Sequence, residues 1–279
     1  MLRITKRTRR LGLELVLLVF GLVAVIGPIS SLVIWSVAET WFWPHALPQQ
    51  VGLAYWRQAL GLETSLAIGA LSIVPALVLS VFVAVVTVVL AMAISIPAGY
   101  ALAKYRIPFG GVLLLLFLMP NAFPQMPVFV NLLRIFTRSG LAGTVPAVII
   151  VHMLVGIVFA VWITTATFKS IPAHLEEAAR SVGATKFTAF MRITLPLAAP
   201  GLLASAVFVF LKSLEEFTGT FLVGLPFVRT LPMMLYSASG YNMQYASVTA
   251  LVLLVPSILF MVVVQKLLRA EYVGGMGAR

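Results

Sequence analysis

Residues 177–196, EAARSVGATKFTAFMRITLP, form a polar and basic segment between two long apolar runs. If the flanking runs cross a membrane, this segment must lie in water at the membrane surface, since hydrocarbon does not tolerate irregular polar backbone. The residues that set its spacing are Glu177, Ala178, Ala179, Gly183, Ile193, Leu195 and Pro196. The segment therefore predicts a structured loop beside the membrane.

The composition of the whole chain is that of an integral membrane protein. Of 279 residues, 61% are hydrophobic and 10% charged, with a mean hydropathy of +1.08, whereas soluble domains are roughly half apolar and a quarter charged. We expect an all-α polytopic membrane protein of about six helices, each crossing about 30 Å of hydrocarbon. The predicted spans are 12–37, 75–103, 111–131, 144–168, 200–223 and 246–268.

Three further features of the sequence concern the first apolar run, the approach to the second span and the absence of cysteine. The basic start followed by the apolar run Leu11 to Val37 mimics a signal peptide, but the run is long enough to predict a retained first span. Residues 66–74, before Pro75, are predicted to be an interfacial lead-in to the second span. The absence of cysteine excludes disulfides and thiolate metal sites.

The basic residues predict the orientation in the membrane. The net charge is +11, and fourteen Lys and Arg fall at the termini and in the loops on one side, against four in the opposite loops. The positive-inside rule then places both termini and residues 169–199 in the cytoplasm. The aromatic residues 41–43, with Tyr55 and Trp56, are expected to anchor the outer interface.

The loop itself predicts two short helices joined at Gly183, which can adopt a left-handed conformation. Ser170 and Thr185 are the expected N-caps, and Leu195-Pro196 is expected to end the second helix before the fifth span. The apolar stripes at helical spacing are Ile171, Leu175, Ala178, Ala179 and Val182, then Phe187, Phe190 and Met191. From the residues alone, a docking surface and an amphipathic hairpin lying on its own membrane are both open.

The spacing of residues 177–196 resembles the cytoplasmic EAA loop of importer-type ABC transporter permeases. Three further stretches resemble MalG-like carbohydrate permeases: YALAK at 100–104, SGLAGT at 139–144 and FKSIPAHLEE at 168–177. The resemblance covers about residues 75–279 and implies the type I ABC importer (MetI-like) permease fold. The whole chain, 1–279, would be a single transmembrane domain with its core at about 75–270.

The resemblance also implies partners and site residues. It implies a second homologous permease as heterodimer partner, two ATPase subunits that bind ATP and Mg²⁺, and an extracellular solute-binding protein, all at a bacterial plasma (inner) membrane. No cofactor or nucleic acid is expected on this chain, and Glu177 is expected to meet the ATPase. The implied ATPase-coupling residues are Glu176, Glu177, Ala178, Ala179, Gly183, Ile193, Leu195 and Pro196.

The resemblance to MalG-like permeases implies a sugar, polyol or glycoside as the transported solute. Two stretches depart from the sugar-permease pattern. Residues 180–183 read RSVG where sugar permeases more often carry an Asp before the Gly, and residues 213–217, SLEEF, resemble an acidic motif of polyamine permeases. A polyamine or another small organic solute is therefore the alternative.

Prolines 120, 124 and 127 interrupt the third span and free backbone carbonyls that lipid cannot satisfy. They predict a kink beside a partner helix or a water-filled path, and a purely structural role is the alternative. The predicted translocation-path residues are Asn121, Gln125, Glu215, Glu216 and Asn242.

Charges at membrane depth are costly, so Lys212 and Glu216, four residues apart, are expected either to neutralise each other or to contact solute or partner.

No constellation for catalysis or metal binding stands out. The chain has no GxxxxGK[ST] phosphate loop, and His174 and Glu177 lack a second ligand pair nearby. His152 is predicted to be a buried hydrogen-bonding residue. The chain is expected to be a transport subunit without enzymatic activity. A proton-coupled secondary transporter, the rival class, would be expected to show an internal repeat, and none is evident.

Overall fold

The computed structural model describes residues 2–62 and 72–276, so the predicted lead-in at 66–74 lies for the most part outside the described residues. The described chain is almost entirely helical. In order, its elements are α1 (Leu2–Val37), β1 (Ala38–Thr40), β2 (Gln50–Val51), α2 (Ala54–Ala59), α3 (Val74–Lys104), α4 (Gly110–Ala122), α5 (Gln125–Arg138), α6 (Val145–Ser170), α7 (His174–Ser181), α8 (Lys186–Ala189), a π-helical turn (Phe190–Thr194), α9 (Leu195–Glu215), α10 (Thr218–Gly224), α11 (Leu231–Ser239) and α12 (Met243–Met276).

Five stretches of helix in the described part of the chain are long and apolar enough to cross a membrane. They are Leu13–Val37, Val74–Lys104, Val145–Ser170, Lys186–Glu215 and Met243–Lys266. They correspond to the first, second, fourth, fifth and sixth predicted spans, which confirms the all-α polytopic class.

The third predicted span, 111–131, is wrong as a single helix. The chain forms α4 and α5 instead, with Phe123 extended (φ −86°, ψ 150°) and Pro124 before the first turn of α5. Pro124 has no N–H and forces the residue before it out of the helical region. Helix α4 has 13 residues and is about 20 Å long, so it cannot cross the hydrocarbon alone.

The described chain divides into two compact units. The first comprises Met1–Val74 and Leu235–Val252. Here β1 and β2 pair antiparallel after α1, and the Ile73 N–H donates to the Ala59 carbonyl at 2.9 Å. Most large apolar side chains of α1 between Leu11 and Ile34 are exposed, as those of a lipid-facing helix are.

The second unit comprises Pro75–Met234 and Leu253–Arg279. Helices α6 and α9 pack against each other along this unit, and glycines let the two backbones approach. A Cβ on Gly156 would lie 3.0 Å from Val209, and one on Gly201 would collide with Thr167. At one end of this pair, a cluster of buried apolar residues supports the loop between the two helices: Phe168, Ile171, Ala198 and Leu202.

Candidate functional site: the loop between α6 and α9

The loop begins where α6 ends, at Ser170. The predicted N-cap at Ser170 is wrong, because its hydroxyl donates back to the Thr167 carbonyl at 2.8 Å and so belongs to the end of α6. Helix α7 begins later, at His174, without a side-chain cap. The start of the loop is held by Lys104, whose Nζ donates to the carbonyl of the buried Ile171 at 2.6 Å.

The turn after α7 has the predicted geometry. Gly183 has φ +96°, which favours glycine over residues with a Cβ. Its N–H donates to the Arg180 carbonyl at 3.0 Å, and the Ala184 N–H donates to the Ala179 carbonyl at 3.1 Å. A Cβ on Gly183 would meet no atom within 4 Å. The glycine therefore serves the backbone conformation, and no neighbour fills the space beside it.

The second helix of the loop starts as predicted and ends differently. The Thr185 hydroxyl accepts from the Thr188 N–H at 3.1 Å, which confirms the cap. The prediction that Leu195-Pro196 ends this helix is wrong, because residues 186–215 form one continuous helical path. The π-helical turn shifts the hydrogen bonding to i→i+5, with Leu195 N–H on the Phe190 carbonyl, and Pro196 then falls in the first turn of α9, where proline is tolerated.

The loop has an inner and an outer face. Leu175, Glu176 and Ala179 are half-buried, whereas Glu177 and Ala178 are exposed. The predicted first stripe is therefore partly wrong, since Ala178 and Val182 point outward. The exposed residues are called the docking face: Glu177, Ala178, Val182 (87% exposed), Phe187 (73%) and Met191 (44%). The chain's own core does not bury the apolar members of this face.

The inner face contains a polar cluster of Tyr100, Glu176 and Thr194. The Tyr100 hydroxyl donates to Glu176 Oε2 at 2.9 Å, and the Thr194 hydroxyl donates to Glu176 Oε1. Thr194 is fully buried at the end of the π-helical turn. Each oxygen of the carboxylate therefore has a donor, and the two donors come from different membrane helices.

A cavity of about 170 Å³ opens beside this cluster. Its lining residues are Tyr100, Lys104, Tyr105, Ala173, Glu176, Glu177, Arg180 and Lys186. Three cationic side chains thus share one opening with two carboxylates, and one of those carboxylates is already bound by two hydroxyls. The side chains that line this cavity therefore carry a net positive charge. In the described residues no group of three His, Cys, Asp or Glu side chains is placed to hold a metal ion.

Sequence reasoning did not assign roles to Tyr100, Lys104 and Thr194. Tyr100 and Lys104 end an apolar helix with two polar groups one turn apart, which is a signal that α3 stops at the membrane surface near a loop. Thr194 lies between Ile193 and Leu195 and is not one of the residues that set the spacing of the loop. A hydroxyl there has no local partner to predict, so only the folded chain shows its role.

The predicted path residues lie at breaks and caps of helices. Asn121 is half-buried near the end of α4 and Gln125 is exposed at the start of α5, on either side of the break. A Cβ on Gly219 would lie 3.3 Å from Glu216 Oε1 and 3.4 Å from the Phe129 ring, so the break between α9 and α10 lies next to α5. Asn242 caps α12, since its Oδ1 accepts from the Tyr245 N–H at 2.8 Å.

The expected pairing of Lys212 with Glu216 is wrong. Lys212 pairs with Glu215 at 3.2 Å, and both side chains are exposed. Glu216 is 6% exposed and accepts from the Gly219 N–H at 2.8 Å, so it caps α10. Helix α9 ends at Glu215, between Lys212 and Glu216. The turn at Glu216 therefore directs the Glu216 carboxylate away from the Lys212 ammonium group. The prediction for His152 is confirmed: it is buried and contacts the hydroxyls of Ser213 and Thr220.

The five helices of membrane-spanning length and the polar loop between α6 and α9 are typical of a multi-pass membrane transport protein. The chain belongs to the family described as binding-protein-dependent transport system inner membrane component, which matches residues 95–272. It is therefore a permease of the ABC importer type, a transport component rather than an enzyme. This membership sets aside the alternative of a proton-coupled secondary transporter.

Several relatives support this assignment. A probable ABC transporter permease of Sinorhizobium fredii, y4oR, is 35% identical over 192 residues, covering 68% of this chain and 69% of the relative. The maltose/maltodextrin permease MalG of Salmonella typhimurium is 31% identical over 225 residues, covering 76% and 75%. The fold is similar to that in the crystal structure of a bacterial ABC transporter involved in alginate import, with TM-score 0.68 at 22% identity, covering 94% of this chain and 97% of that chain.

Proposed function

We propose that this chain is one of two permease subunits of an importer that carries a small hydrophilic solute, and that its docking face receives a separate ATPase. The observation that carries the proposal is the exposure of Val182, Phe187 and Met191 beside Glu177 on a loop too short to be stable alone. An apolar patch rimmed by charge is typical of a protein interaction site. Glu177 supplies an acceptor for a basic side chain of the partner at its edge.

The other subunits of the importer are proposed together with this chain. A second homologous permease completes the membrane part, two ATPase subunits bind ATP and Mg²⁺, and an extracellular solute-binding protein delivers the solute. Both termini and the loop at 169–199 face the cytoplasm of a bacterial inner membrane. The whole chain, 1–279, acts as one transmembrane domain in this assembly. These partners are proposed from family membership and from the distribution of basic residues.

A sugar, polyol or glycoside is the proposed solute class. The relative MalG is a maltose/maltodextrin permease, and the alginate importer has a similar fold. A polyamine is the alternative that the motif at 213–217 suggests. The contacts of that motif give the polyamine class no further support, because Glu215 already has a cationic partner in Lys212 and the Glu216 side chain is buried.

Gly183→Pro tests the docking role. Proline holds φ near −65° and lacks the N–H that Gly183 donates to Arg180, so the turn and the docking face are lost. The ATPase should no longer co-purify with the transporter. Gly140→Pro is a matched control, since Gly140 also has a positive φ (+72°), donates to Thr137 at 3.3 Å and lies outside the loop. Normal ATPase co-purification and transport in Gly183→Pro would refute the proposed function.

A further inference from the structure

Glu176 and Glu177 are neighbours in the sequence and have different surroundings. Glu177 is exposed on the docking face, whereas Glu176 is half-buried and turned toward the membrane helices. Both carboxylate oxygens of Glu176 accept hydrogen bonds, from Tyr100 on α3 and from Thr194 immediately before α9. Its position on α7 therefore connects three parts of the chain that are 76 and 18 residues apart in sequence.

The Tyr100 hydroxyl is held in place by aromatic packing. Its ring meets Phe168 of α6 edge-on at 5.5 Å and Phe190 of the π-helical turn at 4.8 Å between centroids. Edge-to-face contacts of this kind stabilise one ring orientation. One turn further along α3, Lys104 holds the Ile171 carbonyl at 2.6 Å. The end of α3 thus binds the loop at two points, through Lys104 at the Ile171 carbonyl and through Tyr100 at Glu176 of α7.

We propose that Glu176 is a positioning residue that ties α7 to α3 and α9, so that movement of the docking face is transmitted to the membrane helices. This inference rests on the proposed function. It separates two roles within one Glu-Glu pair: Glu177 meets the partner, and Glu176 holds the loop to its own subunit. The family resemblance had placed Glu176 among the docking residues.

The physical basis is that α7 has only eight residues and cannot stay folded or oriented by itself in water. A force applied to such a helix would bend the loop unless the helix is tied at more than one point. Hydrogen bonds to a carboxylate are stronger than those between neutral groups, and here they are partly buried on the inner face. Two such bonds from separate helices fix both the position and the rotation of α7.

The test removes the two donors and leaves the docking face unchanged. Tyr100→Phe and Thr194→Val keep the shapes of the side chains and delete only the hydroxyls. In the transporter assembled with its second permease, ATPase and binding protein, the double variant should retain ATPase co-purification. Its solute-stimulated ATPase activity and uptake should fall about tenfold or more, because one hydrogen bond to a charged group corresponds to about tenfold and the double variant loses two.

Two controls separate this effect from general damage. Thr194→Ser alone keeps the hydroxyl and should keep uptake at the wild-type rate. Tyr105→Phe deletes the hydroxyl of a tyrosine whose ring lies 6.1 Å from that of Tyr100 and should leave uptake unchanged. A spin label on Ser181→Cys, at the end of α7, should become more mobile in the double variant, and this measurement needs no ATPase.

The outcomes distinguish this inference from the proposed function. Wild-type uptake in the double variant overturns the role of Glu176, and so does an unchanged label mobility. Loss of ATPase co-purification in the double variant also overturns it, since Glu176 would then shape the docking face itself. If instead Glu177→Gln and Gly183→Pro both leave ATPase binding and uptake normal, the proposed function fails, whatever the double variant does.

Discussion

His152 and Ser213 are joined by a hydrogen bond of 2.7 Å between Nδ1 and Oγ, although 61 residues separate them in the chain. The other ring nitrogen, Nε2, lies 2.8 Å from the Thr220 hydroxyl. A neutral imidazole donates through one nitrogen and accepts through the other, and hydroxyls can do both. One ring on α6 therefore holds the end of α9 and the start of α10 together at the point where the helix is interrupted.

His152→Ala should destabilise the membrane bundle. The change removes both hydrogen bonds and leaves two buried hydroxyls without this partner. Side-chain hydrogen bonds in membrane proteins average about 0.6 kcal/mol and reach about 1.7, so a loss of about 1–3 kcal/mol is expected. The thermal unfolding midpoint in detergent measures it. Ile150→Ala, at an exposed position on the same helix, is the control, and an equal midpoint for the two variants would contradict the prediction.

The membrane helices are predictable from the sequence because length and hydropathy determine them, but the position of the break within the third span is not. Prolines 120, 124 and 127 are all candidates for that break, and only Pro124 lies in it. Pro127 falls in the first turn of α5, where a missing N–H is tolerated. Which proline ends a helix depends on what the freed carbonyls can reach, and periodicity does not contain this information.

In the loop, likewise, the roles of residues that act locally can be predicted from the sequence, whereas long-range contacts cannot. Gly183 and Thr185 act within a few residues of themselves, so their roles are readable from spacing. The contact of Tyr100 with Glu176 needs the bundle to be assembled first. Helical periodicity also predicts one apolar stripe that joins Ala178 and Val182 to Ile171 and Leu175, whereas Ala178 and Val182 lie on the docking face. An apolar position at helical spacing is therefore not always buried by its own chain, as the exposed Ala178 and Val182 show.

Gly99→Ala should destabilise the chain through the contact of α3 with α6. A Cβ at this position would collide with the Thr164 hydroxyl and lie 2.9 Å from the Thr165 backbone nitrogen, which cannot move aside as a side chain can. Overpacking of this kind costs about 1–3 kcal/mol. Gly27→Ala in α1 is the matched control, since a Cβ there meets nothing within 4 Å. Equal thermal midpoints for the two variants would show that α3 and α6 are less closely packed.

The orientation of the chain is testable by thiol labelling, because the sequence has no cysteine to remove. Residues 40–60 and 225–243 are predicted to lie outside, and residues 169–199 inside. In intact cells an impermeant thiol reagent should label Leu47→Cys, at an exposed position, and should label Lys186→Cys only after permeabilisation. Labelling of Lys186→Cys in intact cells would refute the assignment based on positive charge.

The break between α4 and α5 should line the translocation path. Gln125 is exposed there and Asn121 is half-buried, and exposed polar groups beside an interrupted helix belong next to water or a partner rather than lipid. Gln125→Ala and Asn121→Ala should slow uptake about threefold to tenfold, the scale of one hydrogen bond to a solute, while ATPase co-purification stays normal. Glu216→Ala should slow uptake and also lower the thermal midpoint, since it removes the cap on Gly219. Thr137→Ala, near the other end of α5, is the control. Uptake at the wild-type rate in all three test variants would place the path elsewhere, most simply in the partner permease.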